Sequence, residues 1–133
     1  MPSRREAVAP TVERILRAIA GAGLSAEQRD NLAVASAEAL SNAAVHGHRL
    51  EPHREVRVVV VIERRTCAIV EVTDSGPGFD VTNLGDPTDP GRLLSPRGRG
   101  VFLMHRLVDG VEYNRQGNRV RLTVRRQPAR RPR

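Results

Sequence analysis

The chain has 133 residues, 39% hydrophobic but only 2% aromatic, with 22 basic against 15 acidic side chains and a net charge of +7. That length suits one domain with one core, and the single cysteine excludes an internal disulfide or a multi-cysteine metal site. No long apolar run and no charged-then-apolar leader is present, which argues for a cytoplasmic protein away from the membrane.

Val12, Ile15, Leu16 and Ile19 recur at helical spacing and predict a first helix over 9–22, ended by Gly21 and Gly23. Ser25 is a good N-cap for a second helix, with Gln28 completing a capping box, and that helix runs to His46 before Gly47 stops it. The β-branched runs 56–62 and 67–72, separated by Glu63-Arg64-Arg65-Thr66, read as a hairpin. Cys67 lies in the second run and is expected to be a buried structural thiol. From Asp80 to Arg97 the chain holds three prolines and two glycines with few apolar residues, the composition of a long functional loop. A third helix follows over 98–107. Then come strands over 111–114 and 119–126 around Gly117-Asn118.

The order is thus two helices, a hairpin, a loop, a helix and a hairpin. It predicts an α+β two-layer sandwich, its sheet mixed but mostly antiparallel, with three helices on one face. The domain is expected to span 1–126, with 127–133 a basic disordered tail. Every basic residue is arginine, which reads as compositional bias. With three aromatic residues there is no stacking platform for bases, so no direct nucleic-acid contact is expected.

Three separated segments carry the chemistry. In Glu38-Ala-Leu-Ser-Asn42-Ala-Ala-Val-His46 the acid, the amide and the imidazole lie along one helix face. Leu32, Ala33, Ala37, Leu40 and Ala44 are left to pack on the sheet, and the small Ala35, Ala39 and Ser41 leave room for a ligand. A side-chain amide oxygen with phosphates suits Mg²⁺, and a carboxylate one turn away can accept a proton. In Asp74-Ser-Gly76-Pro-Gly78-Phe79 an acid ends a strand before a sharp glycine turn. In Arg97-Gly98-Arg99-Gly100-Val-Phe-Leu-Met a glycine pair opens a helix, where amides and the helix dipole attract anions and two arginines add charge. His46, His48 and His53 lack a convincing metal spacing and are expected to be solvated.

In this order the motifs resemble those of the Bergerat-fold ATP-binding superfamily, also called GHKL ATPases, and most of all the bacterial anti-sigma factor serine/threonine kinases. The resemblance covers residues 3–126, and Leu107-Val-Asp-Gly-Val-Glu-Tyr113 continues the second glycine box. It implies ATP and Mg²⁺ as cofactors, with Glu38 as the catalytic base and Asn42 as the metal ligand. It implies that Asp74 reads the adenine amino group, that Gly76 and Gly78 make room for the base, and that Arg97, Gly98, Arg99 and Gly100 receive the triphosphate under a lid over 80–97. Asn118 stands where relatives carry a threonine that supports the adenine-reading acid; its amide is expected to replace that hydrogen bond.

The activity so implied is phosphorylation of a serine on an anti-anti-sigma (STAS-type) partner, together with sequestration of a sigma factor; a homodimer is common among relatives. The alternative reading is an ATP-binding regulatory module that holds a protein partner without phosphoryl transfer. Two further departures from the family stand out. Only residues 1–8 are available for an N-terminal edge strand, and Pro10 replaces the first of the first-helix arginines that grip the protein substrate, leaving Arg14 and Arg17.

Overall fold

In a computed structural model, the structure describes residues 1–64, 66–79 and 96–127, the side chains of 96 and 97 excepted. Of the lid predicted over 80–97, residues 80–95 lie outside the described residues, as do 128–133 of the tail predicted over 127–133. Helix α1 spans Val8–Ala18, preceded by a 3-10 turn at Arg5–Ala7 and followed by another at Ala20–Ala22. Helix α2 spans Ala26–Ser41 and continues as a π-helical turn over Asn42–Gly47. Strands β1 (Arg57–Glu63) and β2 (Cys67–Thr73) come next, then α3 (Pro96–Leu107), β3 (Gly110–Tyr113) and β4 (Arg119–Arg125).

Local chemistry sets most of these boundaries. Ser25 Oγ accepts the Gln28 N–H at 3.1 Å while Gln28 Oε1 accepts the Ser25 N–H at 3.1 Å, the reciprocal cap the spacing predicts. Gln28 also donates from Nε2 to the Arg125 carbonyl at 2.7 Å, tying the start of α2 to the end of β4. Helix α3 begins at Pro96, two residues before the predicted start; proline suits a first helical position, where its missing N–H costs nothing.

The described strands form one antiparallel sheet in the order β1-β2-β4-β3. Its register aligns Val58, Val72 and Val120 in one row, Val60, Val70 and Leu122 in the next, and Ile62, Ala68 and Val124 in a third. These rows meet Leu32, Ala35, Ala39, Leu40 and Ala43 of α2 and its extension, Ile15 of α1, and Val101 and Met104 of α3. The core is aliphatic throughout, as the scarcity of aromatic residues requires. On the sheet's other face Val59 and Val61 are exposed beside a charged row, in which Glu71 Oε2 accepts from Arg121 at 3.2 Å. The expected two-layer α+β sandwich is therefore what the chain forms, with every described strand pairing antiparallel.

The short N-terminal segment forms a single bridge, Pro2 to Glu55, instead of a full edge strand. The Met1 ammonium donates to the Val56 carbonyl at 2.9 Å and the Val56 N–H returns a bond to Met1 at 2.8 Å. Cys67 is buried, and burial followed by the neighbouring Glu63 carboxylate pushes its thiol pKa up. No helix among the described residues is long and apolar enough to cross a membrane.

Candidate functional site

Three elements converge where α2 widens into its π-helical turn. Glu38 and Asn42 lie one helical turn apart, both half-buried. Glu38 forms no hydrogen bond or ion pair with the described residues. The widened turn begins at Asn42, with the His48 N–H reaching the Ala43 carbonyl five residues back at 2.9 Å; such turns are frequent at functional sites. Asn42 Nδ2 is buried with no hydrogen-bond partner among the described residues. A buried polar atom left unpaired costs about 1–3 kcal/mol, and a ligand in contact with it removes that cost. A half-turn of the amide would present its oxygen at the same place, so this orphan fits either a phosphate acceptor or a cation. His46, the third member of the predicted stripe, is exposed.

Not all of α2 faces as expected. Ala35 and Ala39 are in the core, at 0% and 2% exposure, whereas Ala33 and Ala37 are only half-buried. The buried face is rotated toward Ala35 and Ala39 because α2 is covered on that side by α3 as well as by the sheet.

Asp74 follows β2 and is 7% exposed. Its N–H donates to the Asn118 carbonyl at 2.9 Å, and its Oδ1 accepts the Gly76 N–H at 2.8 Å. The π-helical turn and the Asp74 turn meet at two glycines. A Cβ on Gly47 would lie 2.6 Å from both Asp74 carboxylate oxygens, and one on Gly76 would press on the Gly47 carbonyl. Gly78, at φ +75°, continues the turn against the Gln116 carbonyl of the β3–β4 hairpin. Phe79 then packs edge-on against Tyr113, with ring centroids 5.1 Å apart.

The hairpin tip is organised by a residue the sequence did not single out. Asn114 Oδ1 accepts the N–H groups of Gly117, Asn118 and Arg119 at 2.9, 3.0 and 3.1 Å. Its Nδ2 donates to Asn118 Oδ1 at 2.6 Å. The Asn118 main-chain carbonyl accepts the Asp74 N–H, while its side-chain oxygen accepts from Asn114.

Gly98 and Gly100 lie in the first turns of α3, the former half-buried and the latter buried, with Arg99 exposed between them. Arg97 belongs to the same helix, and its side chain lies outside the described atoms. A Cβ on Gly100 would come within 2.7 Å of Glu38 Oε2 and 3.5 Å of Asn42 Nδ2. The glycine thus lets α3 close on the acid and the amide together. Between Asn42, Asp74, Tyr113, Gly117 and Asn118 the remaining space is about 20 Å³, room for one water. A nucleobase can be admitted there only by parting the walls. A groove of about 380 Å³ lies elsewhere, between α1 and β1 and bordered by Arg14, and none of the three motifs reaches it.

The histidine expectation fails at one position. His53 is exposed beside Glu51, but His48 is 0% exposed and bonded at both ring nitrogens. The described residues contain no cluster of three or more His, Cys, Asp or Glu side chains fit to hold a metal.

Residues 1–124 match a family described as the histidine kinase-like ATPase domain. Over 100 residues the chain is 30% identical to the serine-protein kinase RsbW of Oceanobacillus iheyensis, a match covering 71% of this chain and 63% of that protein. The chain therefore spans somewhat less than two thirds of that relative's length. In three dimensions it is similar to the histidine kinase domain of a blue-light activated histidine kinase from Erythrobacter litoralis. The TM-score is 0.54 at 18% identity, over 94% of this chain and 60% of that one, a likeness of fold alone.

Proposed function

The chain belongs to the histidine kinase-like ATPase domain family, and from that premise we propose that it is an ATP-dependent serine/threonine protein kinase acting as an anti-sigma regulatory factor. Its substrate is a serine on a STAS-type anti-anti-sigma protein, and its other partner is a sigma factor. The similarity to a serine-protein kinase supports this choice over other activities of the family. The observation that carries it is the closure of α3 on α2 at Gly100, which sets a carboxylate and an amide beside a glycine-bearing helix start.

Each residue then has a task. Asp74 accepts a hydrogen bond from the adenine amino group, a device that distinguishes adenine from guanine, which offers an acceptor at that position. The first turn of α3, with Arg97 and Arg99, receives the triphosphate. Asn42 holds Mg²⁺, which when bound neutralises charge on the phosphates. Glu38, free of other hydrogen bonds among the described residues, takes the proton from the attacking serine hydroxyl. As the bond from serine oxygen to the γ-phosphorus forms, the bond to the β,γ-bridging oxygen breaks, and ADP leaves with the electron pair. A module that binds nucleotide without transferring phosphate would have no use for an unpaired carboxylate at this place.

Calorimetric titration with ATP and GTP, each with and without Mg²⁺, tests the pocket. Magnesium-dependent binding that favours ATP is expected. Asp74→Asn should weaken ATP by about tenfold or more while leaving tripolyphosphate unchanged, since a bond to a charged acceptor is worth about 1.5–3 kcal/mol. Equal losses for both ligands would move the nucleobase elsewhere, and ATP binding without serine phosphorylation would favour the non-catalytic module.

A further inference from the structure

His48 lies six residues beyond Asn42, in the segment that follows the π-helical turn, and its ring joins three parts of the chain. Its Nε2 accepts the Ser75 N–H at 2.8 Å, with Ser75 Oγ 3.0 Å away. Its Nδ1 is 2.8 Å from Ser3 Oγ, and that hydroxyl donates to the Arg54 carbonyl at 2.6 Å. One assignment satisfies every partner. The Ser3 proton is committed to a carbonyl, so Ser3 Oγ accepts from Nδ1–H. Nε2 is then unprotonated and free to accept from the Ser75 backbone. Arg54 reinforces the turn from outside, donating to the Ser75 carbonyl at 3.0 Å and to its hydroxyl at 3.1 Å.

The held backbone is that of the residue directly after Asp74, inside the turn whose next amide bonds the Asp74 carboxylate. A second proton on the ring would set an Nε2–H against the Ser75 N–H, donor facing donor, with the Ser75 hydroxyl, 3.0 Å away, as the acceptor it would have to compete for.

We propose that His48 is the positioning residue of the turn from Asp74 to Gly76: as a neutral imidazole it fixes the turn's backbone, and on taking up a proton it lets the turn go. The consequence for nucleotide rests on the reading of Asp74 as the adenine-binding carboxylate. The charged groups facing the ring are Arg54 and Glu51 from its own segment and Asp74 from the turn; the N-terminal segment presents the Ser3 hydroxyl. Burial is the largest influence and lowers the imidazole pKa from 6.5, Arg54 lowers it further, and Asp74 and Glu51 oppose them. At neutral pH the ring is therefore neutral and the turn is held. Acidification below 6.5 releases it.

The test follows two backbone amides of the full chain by hydrogen exchange from pH 7.5 to 5, corrected for intrinsic rates. Protection of the Ser75 amide should fall in acid, approaching tenfold per pH unit once the ring titrates. The Val70 amide, in the middle of β2, should keep its protection, as it would not if the whole fold were loosening. His48→Gln keeps an acceptor of similar reach but cannot titrate, so its Ser75 protection should be independent of pH. Ser3→Ala removes the Nδ1–H acceptor with the imidazole in place and should lower Ser75 protection several-fold already at pH 7.5. Unchanged Ser75 protection in acid, or an equal acid loss in His48→Gln, overturns the proposal.

ADP affinity supplies the functional readout, taken as the ratio of wild type to His48→Gln at each pH so that the ligand's own ionisation cancels. The ratio should decline below pH 6.5. A flat ratio with an acid-sensitive Ser75 amide would refute the coupling to nucleotide. If the wild type binds no ADP at pH 7.5, the nucleotide reading fails, while Ser75 exchange still decides whether His48 holds the turn.

Discussion

Gly100→Ala separates stability from catalysis in a direction that ordinary core mutations do not. The new Cβ would sit 2.7 Å from Glu38 Oε2, whereas ordinary contact begins at 3.4 Å. The carboxylate must therefore retreat by about 0.7 Å, and it can do so cheaply, because it ends a flexible side chain with no hydrogen bond to the described residues. Within helix α3 the exchange of glycine for alanine stabilises the fold by about 0.5–1 kcal/mol. For a domain of this size that is a rise of about 2–4 °C in Tm. Catalysis should move the other way. A positioned base contributes about 10²–10⁴-fold and a misplacement of about 1 Å costs about 10²-fold, so transfer should fall by roughly 10–100-fold. The assay pairs thermal unfolding with single-turnover transfer of labelled γ-phosphate to the anti-anti-sigma partner. Wild-type transfer in a variant whose Tm has risen would refute the placement of Glu38 as base, and a Tm lowered by several degrees would refute the cheap retreat.

Glu38→Gln preserves the size of the side chain and should keep Mg-ATP affinity within about threefold while transfer falls about 10²–10⁴-fold; single-turnover kinetics beside calorimetry would show it. Asn114→Ala strips the hairpin tip of the acceptor for three N–H groups. Urea unfolding should register a loss of about 1–3 kcal/mol, with weaker ADP binding because Asn118 also holds Asp74. His48 and His105 both have pKa values lowered from 6.5, by burial first in each case. The unfolded chain therefore binds their protons more readily, so stability is full above 6.5 and declines as pH falls below it. Denaturant titrations of wild type and His48→Gln between pH 5 and 8 should show a shallower acid decline in the variant.

Much of this protein was legible in one dimension. The capping box of α2, the hairpin turn at Glu63–Thr66 and the alternation of β2 and β4 are local events, fixed by residues a few positions apart. They yielded the element order, and with it the two-layer architecture. The motif residues were nameable for the same reason, since each motif is a short segment with its own backbone requirement. Contacts across long separations were not legible. His48 sits between two other histidines and a glycine, and nothing nearby distinguishes it from a solvated ring. Its burial depends on Ser3 and Ser75, respectively 45 and 27 residues away. Asn114 likewise looked like one more turn residue until its oxygen met three amides.

By itself the sequence determined the order of helices and strands and which three segments make up the candidate site, because periodicity and turn chemistry act over a few residues. Only the tertiary structure decided that α3 closes on Glu38 and Asn42 through Gly100, and that the Asp74 N–H donates to the Asn118 carbonyl. It also decided that a buried histidine braces the turn between them. Those outcomes follow from how closely packed elements approach one another, and no local pattern encodes that distance.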